Sequence, residues 1–214
     1  VAQKVLAAFI FVRLKYQKNY STTETSISVT PDVLCKNIIE LVINDSEGGK
    51  VAQAVVAGLV DVFAGESRVD SGRINDPSRH YPGDVCIRSA KNESIIEKAF
   101  EVRDKPVRLS DIHIFGKKCI EMNVKEAAVV MVAALQERID TDKVTAWASN
   151  LGIGMTLFHG WNEFVEQVLF WSESCKPDAA ILAARQIEKR LIQVEASESA
   201  VTYWQKLITQ SQKS

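Results

Sequence analysis

An unbroken apolar run from Ala127 to Leu135 (Ala-Ala-Val-Val-Met-Val-Ala-Ala-Leu) sets the tightest limit on the fold. A strand with one face in water alternates apolar and polar side chains; a run without alternation reads as a strand buried on both faces. Such a strand needs a layer on either side. Helices are predicted around it: one capped by Ser110 or Asp111 and running to Asn123, with Ile112, Ile114, Phe115, Cys119 and Ile120 inward, and one from Thr141 or Asp142 to Asn150, closed by Gly152. Ile153 to Phe158 reads as another strand and Trp161 to Trp171 as another helix. The strand–helix–strand–helix–strand rhythm from 97 to 158 implies right-handed parallel crossovers in an α/β protein.

Helices are predicted on both sides of this unit. Residues 1–16 read as a core-facing helix, because Lys4 interrupts the apolar stretch and Arg13, Lys15 and Lys18 follow. A secretory leader needs a longer uninterrupted core and a cleavage site, and a spanning helix about 20 apolar residues. Residues 19–30 form a polar, Ser/Thr-rich loop. Thr30 and Pro31 open a second helix as N-cap and first helical residue. Lys50 to Ala64 is too apolar for a surface helix; it is expected to lie flat on the sheet and to end at Gly65. After Lys176-Pro177, two more helices are expected, Pro177 to Val194 and Ser197 to Ser211. The resulting division is 1–66, N-terminal helices on the core; 67–175, the core; and 176–214, a helical extension, all in one compact domain.

A formal net charge of −1 over 214 residues argues against a globally basic nucleic-acid coat but leaves room for a local basic cleft. Cys35, Cys86, Cys119 and Cys175 are scattered without a CxxC pair, which favours buried reduced thiols in a cytoplasmic protein over zinc or disulfides. Gly152-x-Gly154 lacks the third glycine and the lysine of a phosphate cradle, so no nucleotide cofactor site is expected. None of His80, His113 and His159 sits in a recognisable nucleophile context.

Chemistry concentrates between Arg73 and Lys105. Two apolar-flanked runs there look like neighbouring strands; Asp84 opens the first and Glu101 sits inside the second. Period-2 geometry points Glu101, Arg103 and Lys105 to one face and Val102 to the other. An acid at a strand start, an acid on its neighbour and a following cation can hold a hard divalent ion and cut a phosphodiester. The competing reading is a surface ladder in which Glu101 pairs with Arg103 and Lys105. Just before Asp84, a Pro77-containing loop offers Arg73, Asn75, Ser78, Arg79 and His80 for phosphate or base contact, against the reading of a solvated turn. Asp61 and Glu66 lie just upstream; solvated or helix-terminal carboxylates are the favoured reading for both.

This constellation resembles the PD-(D/E)xK nuclease superfamily. The longer words Arg-Ile-Asn-Asp-Pro-Ser-Arg (73–79), Tyr-Pro-Gly-Asp-Val (81–85) and Glu-Val-Arg-Asp-Lys-Pro-Val (101–107) look like the SacI-type type II restriction endonucleases. The resemblance implies a restriction-endonuclease-like mixed sheet flanked by helices, with helical additions at both ends. It implies Mg²⁺ held by Asp84, Glu101 and the Val102 carbonyl, and a homodimer cutting both strands of double-stranded DNA at a palindrome. A companion DNA methyltransferase would act separately on the same sites, and no membrane is involved. In one respect the chain departs from the pattern: the superfamily's lysine position is occupied by Arg103, and the lysine comes two residues later, at Lys105. Arginine cannot lose its proton and so cannot be a general base, but it can clamp a phosphate. Either residue can take the catalytic cation role. Two other readings stay open: a less specific or structure-specific nuclease of the same superfamily, and a non-cleaving DNA-binding module.

Overall fold

The computed structural model describes residues 2–15, 18, 20, 27–71 and 81–210. Among them, five strands form one sheet in the order β1-β2-β3-β4-β5. The strands are β1 (Val69–Ser71), β2 (Val85–Arg88), β3 (Ile96–Arg103), β4 (Glu126–Met131) and β5 (Gly154–His159). The β1/β2 and β2/β3 pairs are antiparallel, and β3/β4 and β4/β5 are parallel. This is an α/β protein with a mixed sheet flanked by helices, as expected.

Helices α1 (Ala2–Lys15), α2 (Pro31–Asn44) and α3 (Lys50–Ala64) precede the sheet. Helices α4 (Leu109–Glu121) and α5 (Thr141–Asn150) connect the parallel strands, and α6 (Trp161–Trp171), α7 (Lys176–Gln193) and α8 (Glu198–Gln210) follow. The sheet separates two apolar layers. Val85, Ile87, Phe100 and Val130 face the side covered by α3 and α6, and α2, α7 and α8 complete that layer by packing on those helices and on one another. Cys86, Ala99, Val129 and Met131 face Ile112, Phe115 and Cys119 of α4 and Val144 and Ala148 of α5. The burial of β4 on both faces follows from its composition; the strand stops at Met131, and Leu135 at the end of the apolar run is 86% exposed.

Helix α3 is the middle of the thicker layer. Most of its residues are buried, and it packs along α7 closely enough that a Cβ on Gly58 would lie 2.6 Å from the backbone nitrogen of Ile187. Asp61, near its end, is buried and ion-paired with the buried Arg190 of α7; Arg190 also donates to the carbonyl of Val69 at 3.0 Å. The expectation of a helix-terminal carboxylate therefore resolves as a buried pair tying α3, α7 and β1 together. Glu66 pairs with Lys189 at the surface, 3.0 Å away.

Three expectations are corrected. Helix α1 does not face the core: Val5, Leu6, Phe9 and Phe11 are all exposed. Apolar residues run around the whole helix rather than along one stripe, and composition alone cannot say which surface covers it. The α4 cap is Arg108, whose N–H donates to Asp111 Oδ2 at 2.9 Å, so Asp111 lies inside the first turn. Ile112, Phe115 and Cys119, spaced three and four apart, share the inward face, while Ile114 and Ile120 fall off it and are outward. Of the four cysteines, none is in a disulfide and three are buried, but Cys175 is exposed. No helix among the described residues is long and apolar enough to cross a membrane.

Candidate active site

The ladder between β2 and β3 ends at the pair Val85–Phe100. Asp84 stands one residue outside it, and the chain around Asp84 is held at several points. Upstream, the Tyr81 hydroxyl accepts a hydrogen bond from Arg88 Nη2 at 2.6 Å. Gly83 lies flush against β3: a Cβ there would be 2.6 Å from the Phe100 carbonyl oxygen and 3.1 Å from the Phe115 ring. Any side chain at 83 would push Asp84 off the strand, which gives the Pro-Gly-Asp word a steric cause. The Asp84 carbonyl accepts from Gln53 Nε2 of α3 at 2.9 Å.

The Asp84 carboxylate bends back over the end of the ladder. Its Oδ2 accepts the backbone N–H of Val102 at 2.9 Å, where a longer β2 would have supplied a strand carbonyl. The next carbonyl along β3, that of Arg103, bonds Val132 N on the β4 side at 2.8 Å. Backbone groups alternate sides along a strand, so the Val102 carbonyl points to the Asp84 side with its own N–H.

Glu101 lies on the opposite sheet face from Val102, in the row Glu101–Val129–Leu157 and above the α4 layer. Its side chain is only 12% exposed and pairs with the Arg103 guanidinium, which is 46% exposed. Burial, then the charge of Asp84, pushes the Glu101 carboxyl up to about 7; Arg103 and Lys118 of α4 pull the other way. Asp84 and Glu101 therefore sense each other strongly. Nearby, burial pushes the Cys119 thiol up to about 12, with Cys86 and Glu101 adding to the shift, so this thiol is no nucleophile at neutral pH.

Asp84, Glu101, Val102 and Arg103 are thus brought together. Lys105 is not on their ladder: β3 ends at Arg103, and Lys105 is exposed in the bend before Pro106. The expected alternation fails there because it holds only while the strand continues. Arg73, Asn75, Ser78, Arg79 and His80 lie outside the described residues. Sequence reasoning missed Gln53 and Lys118. Both come from helices, and only tertiary packing brings them to the site.

Two repelling carboxylates in a half-buried setting, with a carbonyl beside them, are a donor set that fits a hard divalent cation. Among the described residues no group of three or more His, Cys, Asp or Glu side chains could hold a metal ion, so any metal held here would depend on this mixed set.

No family model matches the chain. It is similar to the type II restriction enzyme SacI of Streptomyces achromogenes, 26% identical over 166 residues that cover 76% of this chain and 44% of the relative. The chain therefore spans less than half of that relative's length. The similarity supports a restriction-enzyme-like relationship, in keeping with the mixed α/β fold.

Proposed function

We propose that this chain carries the catalytic core of a type II restriction endonuclease, which hydrolyses phosphodiester bonds of double-stranded DNA at a specific sequence. The observation that carries this reading is the Asp84 carboxylate seated on the Val102 N–H beside the half-buried Glu101. A Mg²⁺ held by Asp84, Glu101 and the Val102 carbonyl would polarise the scissile phosphate and lower the pKa of a bound water.

The chain's own residues do the rest. Asp84 and Glu101 concentrate negative charge where the fold leaves a carbonyl facing them. Arg103, half in solvent and paired with Glu101, receives a phosphate oxygen in this proposal and steadies the charge of the pentacovalent transition state. It takes the cation role in this proposal. Lys105, beyond the strand, contacts the phosphate backbone farther along, and Arg73, Asn75, Ser78, Arg79 and His80 contact the DNA ahead of Asp84. Cutting both strands requires two such centres, hence a homodimer on a palindrome, working in the cytoplasm beside a separate methyltransferase.

The Glu101–Arg103 pair also suits a DNA-binding module that does not cleave, since the pair neutralises one carboxylate. Digestion of several long duplex DNAs with Mg²⁺, Ca²⁺ or EDTA separates the readings. Discrete fragments with Mg²⁺ alone are expected, and their mapped ends give the sequence read. A smear means a nuclease without sequence choice. Metal-independent binding with intact DNA means the binding module.

A further inference from the structure

Helix α3 carries two buried polar side chains in an otherwise apolar interior, Gln53 and Asp61. Asp61 is accounted for by Arg190. Gln53 is 3% exposed, and its amide reaches across the sheet's end to the main chain of Asp84. Burying an amide is costly unless it makes a hydrogen bond, and an apolar residue of similar size would satisfy the packing of α3 without that cost. What the amide adds is a fixed point on the chain just before β2.

We propose that Gln53 is a positioning residue, whose carboxamide fixes the peptide plane after Asp84 and so aims the Asp84 carboxylate at β3 beside Glu101. The geometry is specific. The peptide group following Asp84 is planar, so holding its carbonyl sets the direction of the chain at Asp84. Gly83, flush against Phe100, fixes the other side. Only the two side-chain torsions of Asp84 then remain, and the Val102 N–H selects among them. The carboxylate is thus located by one contact from α3, one steric stop on β3 and one hydrogen bond from β3. Its consequence for cleavage rests on the nuclease reading; its consequence for the Asp84–Val102 contact does not.

The test is Gln53→Met, which keeps the bulk and removes the donor, with amide hydrogen exchange read residue by residue in β3. The Val102 N–H should exchange at least about tenfold faster, while the ladder-bonded amide of Phe100 is unchanged. Cleavage should lose kcat by about 10- to 100-fold, the range for removing a group that orients a metal ligand, with KM for DNA within about threefold. If Gln53→Met does not fold, Gln53→Asn, whose amide stops one methylene short, carries the same measurement. Unchanged Val102 exchange overturns the proposal, as does a uniform rise across β3, which would mark a merely structural role. A loosened Val102 in a protein that cuts no DNA leaves the positioning role standing and removes the nuclease reading instead.

Discussion

Glu101 decides the behaviour of the site before any ligand arrives. In the metal-free protein it titrates near 7, against 4.5 for an unperturbed glutamate. Between those values the folded state holds more protons than the unfolded one, so stability falls as pH rises through the window and stays lost above it. The two carboxylates interact, so the slope belongs to the Asp84–Glu101 pair. Glu101→Gln should flatten it and gain on the order of 2–3 kcal/mol over wild type at pH 8, measured by urea unfolding in chelator at pH 5 and pH 8. The same pair should make Ca²⁺ stabilising at pH 8 in wild type and without effect in Asp84→Asn, as read from the unfolding midpoint. Gly83 makes a steric prediction. Gly83→Ala should displace Asp84 and abolish that Ca²⁺ effect, and should lower the metal-free midpoint as well, by an overpacking cost of roughly 1–3 kcal/mol, because the added Cβ would lie 2.6 Å from the Phe100 carbonyl oxygen and 3.1 Å from the buried Phe115 ring.

At the scale of elements, α3 is both the packing centre and the support of the site. Its approach to α7 leaves no room at Gly58, where even a methyl group meets backbone. Gly58→Ala should cost roughly 1–3 kcal/mol through overpacking, seen as a lowered urea midpoint with unchanged m-value. Arg190→Ala should cost more, about 3–5 kcal/mol, because it strands a buried Asp61 carboxylate. The elements themselves were largely legible. The bounds of Lys50–Ala64 and Trp161–Trp171 are legible in the sequence, the first because Gly65 closes a helix that is apolar throughout and the second because the apolar spacing persists between its end residues. Thr30 capped α2 as its side chain suggested, accepting from Val33 N at 3.4 Å. What local pattern could not show was anything set by a partner. The end of β3 at Arg103 took Lys105 off the face that alternation assigned it, and the exposure of α1 depends on what lies against it rather than on its own composition.

Over the whole molecule, the mixed sheet explains why the site lies where it does. The antiparallel β2/β3 pair stops at Val85–Phe100, while the parallel β3/β4 pair runs on to Arg103–Met131. The overhang leaves the Val102 backbone facing away from β4 with no strand beside it among the described residues, and Asp84 fills part of that gap. Asp84 and Glu101 could be picked out from sequence because strand alternation and the flanking words mark them. Gln53 and Lys118 could not, since nothing in α3 or α4 announces which turn will lie over the overhang. The central claim is that the two carboxylates act as one centre. Its most direct test is the single-turnover cleavage rate of duplex DNA in Mg²⁺ for wild type, Asp84→Ala, Glu101→Ala and the double variant. One centre predicts that each single change costs at least ~10³-fold and that the double change costs little more. Losses that multiply in the double variant, or cleavage that survives either single change, would contradict it.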